Sequence, residues 1–113
     1  MVLLATKGLD QATDTDTAAV VDCRRLGVEE TLHTFRWHEG VSVGVVEIEE
    51  APAPDYDGAW MPVQTVTFDG STTPAPKVQT VRITGSFAAL RHRISTPVED
   101  GSVSSRIDAS GDA

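Results

Sequence analysis

A chain of 113 residues with 17 acidic and nine basic side chains carries a net charge of -8 and has room for one domain with one modest core. Such a surface repels phosphate backbones and anionic bilayers, which speaks against nucleic-acid and membrane-surface binding. A single cysteine rules out an internal disulfide, and no apolar run approaches the roughly 18 residues of a spanning helix, so a soluble product of a cytoplasm is expected.

Val occurs 14 times and Thr 13 times against six Leu, a bias toward pleated sheet, where β-branched side chains lose little rotamer freedom. Residues 1–17 open on Val2-Leu3-Leu4-Ala5 and pass into a polar run without a periodic apolar face, which reads as an N-terminal strand and extended arm. Residues 18–24 form a half-buried strand in which Cys23 is a core thiol. After a break at Gly27, Thr31 to His38 is a strand with His33, Phe35 and Trp37 on one face, closed by a turn at Glu39-Gly40.

Val41 to Glu49 is the strongest strand. Its apolar phase slips from Val41, Val43 and Val45 to Val46 and Ile48, which predicts a β-bulge between Gly44 and Val46. Two prolines and Asp57-Gly58 make residues 50–58 a loop. Trp60 to Phe68 resumes as a strand, residues 69–76 form a second loop, and Lys77 to Thr84 and Phe87 to Ser95 follow as strands. A turn at Glu99-Asp100-Gly101 precedes a last strand through Val103, Ser105 and Ile107, and residues 108–113 read as a flexible tail. Seven or eight short antiparallel strands over residues 18–107 predict an all-β fold, a single β-sandwich of jelly-roll or immunoglobulin-like type.

Chemistry-bearing motifs are few. Asp55-Tyr56-Asp57-Gly58 has the alternation of a calcium loop but lacks the distal bidentate Glu, so it reads as a solvated turn. His33 and His38 fall on opposite faces of one strand and cannot chelate together. His92 shares a phase with Ala88, Leu90 and Ile94 and reads as a rim residue, with an interface or pH-sensitive contact as the alternative. Glu47 and Glu49 read as an exposed solubilising row. No serine sits in a Gly-x-Ser-x-Gly turn and no phosphate loop is present, so neither catalysis nor a cofactor or metal is expected. Arg91 and Arg93, in phase with Phe87 and Ala89, form the candidate contact face. On this reading Arg91→Glu with Arg93→Glu harms association more than thermal stability. A sugar-binding platform of Trp37, Trp60 and Tyr56 is an alternative, weakened because both tryptophans lie in apolar strand phases.

The stretch from Val43 to Glu49, the segment Asp57-Gly58-Ala59-Trp60-Met61-Pro62-Val63, Val81-Arg82-Ile83-Thr84-Gly85-Ser86-Phe87 and Ala89-Leu90-Arg91-His92-Arg93-Ile94-Ser95-Thr96 are similar to β-sandwich virion proteins of tailed bacteriophages. The resemblance covers residues 41–107. It implies a non-enzymatic particle component, of the head decoration or cement type, or else a tail, neck or fibre-associated protein. It also implies self-association as a homotrimer and contact with the major capsid protein or another virion protein. N-terminal arms contribute to such contacts, which adds Leu9, Asp10 and Gln11 to the candidate interface residues.

Overall fold

Strong β-formers run the length of the chain, and in the computed structural model every regular element among the described residues is a strand. The structure describes residues 2–14, 20–24, 28–68 and 77–111. In chain order the strands are β1 (Val2–Lys7), β2 (Val21–Asp22), β3 (Val28–Ala51), β4 (Met61–Thr67), β5 (Val78–Thr84) and β6 (Ala89–Gly111). All pair antiparallel in one sheet.

Two long strands form the spine, since β3 and β6 pair from Val28↔Gly111 to Ala51↔Ala89. One half of the spine is flanked by β5 beside β3 and β1 beside β6; the other half is flanked by β4 beside β3 and β2 beside β6. The spine bends where its register shifts, between Glu39 and Val46. Glu39 pairs with Gly101 and Val46 with Ile94, so the shifts cancel and both halves share one register. The bulge expected at Gly44 to Val46 lies within this bend.

The bend moves the inner face from odd to even positions of β3. Thr31, His33, Phe35 and Trp37 are buried before it, and Val46 and Ile48 after it. In β6 the inner residues are Leu90, His92, Ile94 and Val98, then Val103, Ser105, Ile107 and Ala109. The two halves of the sheet thereby face each other, and the core lies between them. Trp37 of one half meets the Phe68 ring beyond the other at 5.3 Å. The expected pair of separate sheets is replaced by one curled sheet. Among the described residues six strands are seen, and the two longest, of 24 and 23 residues, stand where several of the short strands were expected. The cause is local: Glu39-Gly40 and Glu99-Asp100-Gly101 carry turn chemistry, yet both are absorbed into the bend as bulged strand. Asp100 takes a left-handed φ of 65° there, and its carboxylate accepts a hydrogen bond from Ser42 Oγ at 2.5 Å.

The ends of the chain also differ from expectation. Residues 108–111 belong to β6 and pair with β1 and β3, with Ala109 fully buried, so they are not a flexible tail; residues 112–113 lie outside the described residues. The N-terminal segment is docked along β6 through β1, followed by backbone bonds of Gly8 with Ser105 and Ala12 with Val103. Of the first predicted strand, Val21–Asp22 is β2, and the second loop, residues 69–76, lies outside the described residues.

Gly101 sits where β6 crosses closest to β3. A Cβ there would collide with the His38 carbonyl oxygen, a backbone atom that cannot swing aside, and with Val41 Cγ2 at 2.7 Å. Gly40 is on the open side, with its nearest neighbour 4.0 Å from such a Cβ. Gly101→Ala is therefore expected to cost roughly 2 kcal/mol or more in urea unfolding, and Gly40→Ala less than about 0.5 kcal/mol.

Candidate interaction surface and a buried polar row

Strand alternation puts Ala51, Glu49 and Glu47 of β3 on the outer face, opposite Ala89, Arg91 and Arg93 of β6. This face is not bare. The loop after β3 folds back over it and buries Trp60 against Ala51 and Ala89, with the indole Nε1–H donating to the Tyr56 carbonyl at 3.1 Å. The Arg91 guanidinium lies 4.2 Å above the Trp60 ring. Beside it Glu49, only 4% exposed, accepts from Arg91 Nε on Oε1 and from Arg93 Nε on Oε2, both at 2.9 Å.

Glu49 is thus no member of an exposed acidic row; that expectation is corrected, because its carboxylate is buried between Arg91 and Arg93. Glu47 keeps to the surface and accepts from Thr65 Oγ1 at 2.7 Å. Arg91 and Arg93 do share a face, as the sequence predicts, but they are engaged within the molecule. Their guanidiniums hold a buried charge before they offer anything to a partner.

The other predicted contact residues separate. Phe87 is half-buried, packed on the main core, and forms a ridge between two clefts. The larger, of about 400 Å³, is lined by Glu50, Pro52, Tyr56, Ala59 and Met61; Cys23, Arg24 and Val28 line the other. Leu9 is 3% exposed in the core, which corrects its assignment to an interface. Asp10 and Gln11 are exposed. Asp10 pairs with Lys7 at 3.2 Å, and the Gln11 N–H donates to Ser104 Oγ at 3.0 Å. Cys23 is buried, and that burial raises its thiol pKa, with Asp22 adding to the effect. Asp55 and Asp57 are exposed on the loop. Trp37 and Trp60 are both buried, so they do not form a sugar-stacking platform with Tyr56.

The feature the sequence reading missed lies between the two halves of the sheet. Thr31 Oγ1 and His33 Nε2 are 2.7 Å apart, His33 Nδ1 and His92 Nε2 2.8 Å, and His92 Nδ1 and Ser105 Oγ 2.7 Å. The Leu9 N–H completes the row by donating to Ser105 Oγ at 2.7 Å. His33 and His92 are fully buried, so His92 is not a rim residue. Neutral imidazoles satisfy the row with one proton between the two rings, the donors running in either direction. Burial lowers the His33 pKa to about 4; burial, and then the neighbouring His33, lowers that of His92 to about 3. The Phe35 ring packs against His92, tilted by 44° with the ring centres 4.7 Å apart. Gly8 leaves the space this row needs, since a Cβ there would press on Ser105 Oγ and lie 2.9 Å from His92 Nδ1. The row ties the N-terminal segment and both halves of the sheet together.

Among the described residues no group of three metal-ligating side chains converges, and no helix is long and apolar enough to cross a membrane. The fold is similar to that of the SPBc2 prophage-derived protein YomS, with a TM-score of 0.59 and 8% identity over 95% of this chain and 92% of that one. A second likeness, at TM-score 0.47 and 10% identity, covers 96% of this chain and 88% of a chain from Bacillus endospore appendages, described as a novel family of disulfide-linked pili. No protein-family model and no curated protein sequence matches the chain.

Proposed function

We propose that this chain is a non-enzymatic structural component of a bacteriophage particle, acting by protein–protein contact. The observation that carries the reading is the fold likeness to a prophage-derived protein over nearly the full length of both chains. The interior is compatible with it, since His33 and His92 are locked in a buried structural row, while the half-buried His38 lies outside that row with its Nε2 2.9 Å from Ser104 Oγ. Within the particle the favoured place is the outside of the head, as a decoration or cement protein on the major capsid protein. There a small domain gains by multiplicity, because each contact is small and many copies bind with avidity. Its charge of -8 favours a protein surface over packaged nucleic acid as the partner.

The test is co-sedimentation of purified protein with heads assembled without it, and separately with isolated tails. Saturable binding to heads, with heads more resistant to heat or chelation, is expected. Binding to tails alone would move the assignment to a tail or neck component. Binding to neither would overturn the particle reading.

A further inference from the structure

Among the described residues the curled sheet is open, and its four edge strands are unequal. β4 carries Pro62, which has no N–H to give, and a register shift opposite Ile48 and Glu49. β2 is two residues long, and β1 has a register shift between Val2 and Leu4. Such devices blunt an edge against pairing with another chain. β5, Val-Gln-Thr-Val-Arg-Ile-Thr, has none of them: seven residues, unbroken register against β3, no proline, no glycine, and β-branched side chains at five positions.

Its hydrogen-bonding direction follows from its two ends. The Trp37 N–H donates to the Lys77 carbonyl and the Gly85 N–H to the Glu29 carbonyl, both at 2.8 Å. Antiparallel alternation then turns the backbone groups of Gln79, Val81 and Ile83 toward β3, and those of Val78, Thr80, Arg82 and Thr84 outward. Among the described residues no strand pairs with that outer side. Charge selects what can approach it. In a chain of net charge -8, residues 70–98 contain no Asp or Glu, so β5 lies in the least acidic stretch of the molecule. The charge of Arg82 is balanced by an ion pair with Glu30.

We propose that β5 is a self-pairing edge, through which two copies of this chain join across a two-fold axis by antiparallel pairing of their Val78–Thr84 strands. Centring the axis on Val81 sets Thr80 against Arg82 of the partner subunit, and Val78 against Thr84 of the partner subunit. Every outward N–H and carbonyl of the strand then gains a partner, and no like charges stand opposite one another. Two acidic molecules thereby meet along strands that themselves carry no acidic side chain. The pairing extends the sheet through both copies. It departs from the trimer that the sequence resemblance implies, and it does not depend on the particle reading, since it is tested on the isolated chain.

The experiment combines sedimentation equilibrium with amide hydrogen exchange of the intact protein across a wide concentration range. A monomer–dimer equilibrium is expected, in which the Val78, Thr80, Arg82 and Thr84 amides become protected as the dimer forms. Thr80→Pro removes an outward N–H while leaving the bonds to β3, and is expected to weaken the dimer roughly tenfold or more. A chain that stays monomeric at every concentration would overturn the proposal. So would an oligomer, trimer included, in which those four amides exchange as fast as in the dilute protein. The exchange measurement on the natural chain keeps the test decisive should Thr80→Pro fail to fold.

Discussion

Between pH 7 and pH 5 the domain is expected to lose about 4 kcal/mol of folding stability through His33 and His92. Above the ordinary histidine value near 6.5 both rings are neutral in the folded and unfolded chain, and their contribution is flat. As pH falls below it, the unfolded chain takes up two protons. The folded chain refuses them until about pH 4 at His33 and about pH 3 at His92. Stability therefore falls with decreasing pH across that window, by about 1.4 kcal/mol per unit for each ring, and levels off below it. Geometry supports the sign. One proton between the rings makes the His33–His92 bond; protonating both would set N–H against N–H at 2.8 Å. Against a typical total of 5–15 kcal/mol the loss is large. Urea unfolding at a series of pH values would show it. The double variant His33→Phe with His92→Leu should flatten the profile while keeping the Leu9–Ser105 bond. A slope that persists in the double variant would assign the acid sensitivity to carboxylates instead.

What was legible in the sequence was whatever rests on near neighbours. The excess of Val and Thr sufficed for an all-β fold, and the phase slip from Val45 to Val46 located the bend of the spine. Apolar strand phase also sufficed to bury Cys23, Trp37 and Trp60. The length of β3 and β6 was not legible, because Glu39-Gly40 and Glu99-Asp100-Gly101 carry the same residues whether a chain turns back or merely bulges. Whether it turns depends on the strand alongside, and here each long strand stays paired with the other on both sides of its bulge. The candidate sites failed for a related reason. His33 and His92 are 59 positions apart, and Glu49 lies 42 and 44 from its two arginines. Alternation assigned each a face without saying what would cover it. The polar arm misled similarly: Leu9 is a single apolar residue in a hydrophilic run, without a periodic pattern to betray its burial.

Reversing both charges, Arg91→Glu with Arg93→Glu, is now expected to damage folding first. The sequence reading gave the opposite order because it took both arginines as free. Glu49 has each carboxylate oxygen on one arginine, and its side chain is 5% exposed, so removing the donors leaves a buried anion unpaired. Breaking a buried pair in this way costs about 3–5 kcal/mol, and two added carboxylates deepen the loss. The shares are unequal. Arg93 is 38% exposed and solvent screens its pairing, so Arg93→Ala alone should cost about 1 kcal/mol. Arg91 is 21% exposed and also covers the Trp60 ring, so Arg91→Ala should cost about 2–3 kcal/mol. The orphaned charge can be separated from lost packing by adding Glu49→Met to Arg91→Ala with Arg93→Ala. Removing the anion should restore much of the stability, since apolar replacements of buried ion pairs are often neutral or better. Chemical unfolding of the five variants measures this directly, and Trp60 emission reports whether the loop has lifted. If the triple variant is no more stable than the arginine double, the arginines act through packing on Trp60, and the Glu49 charge carries little of the energy of this face.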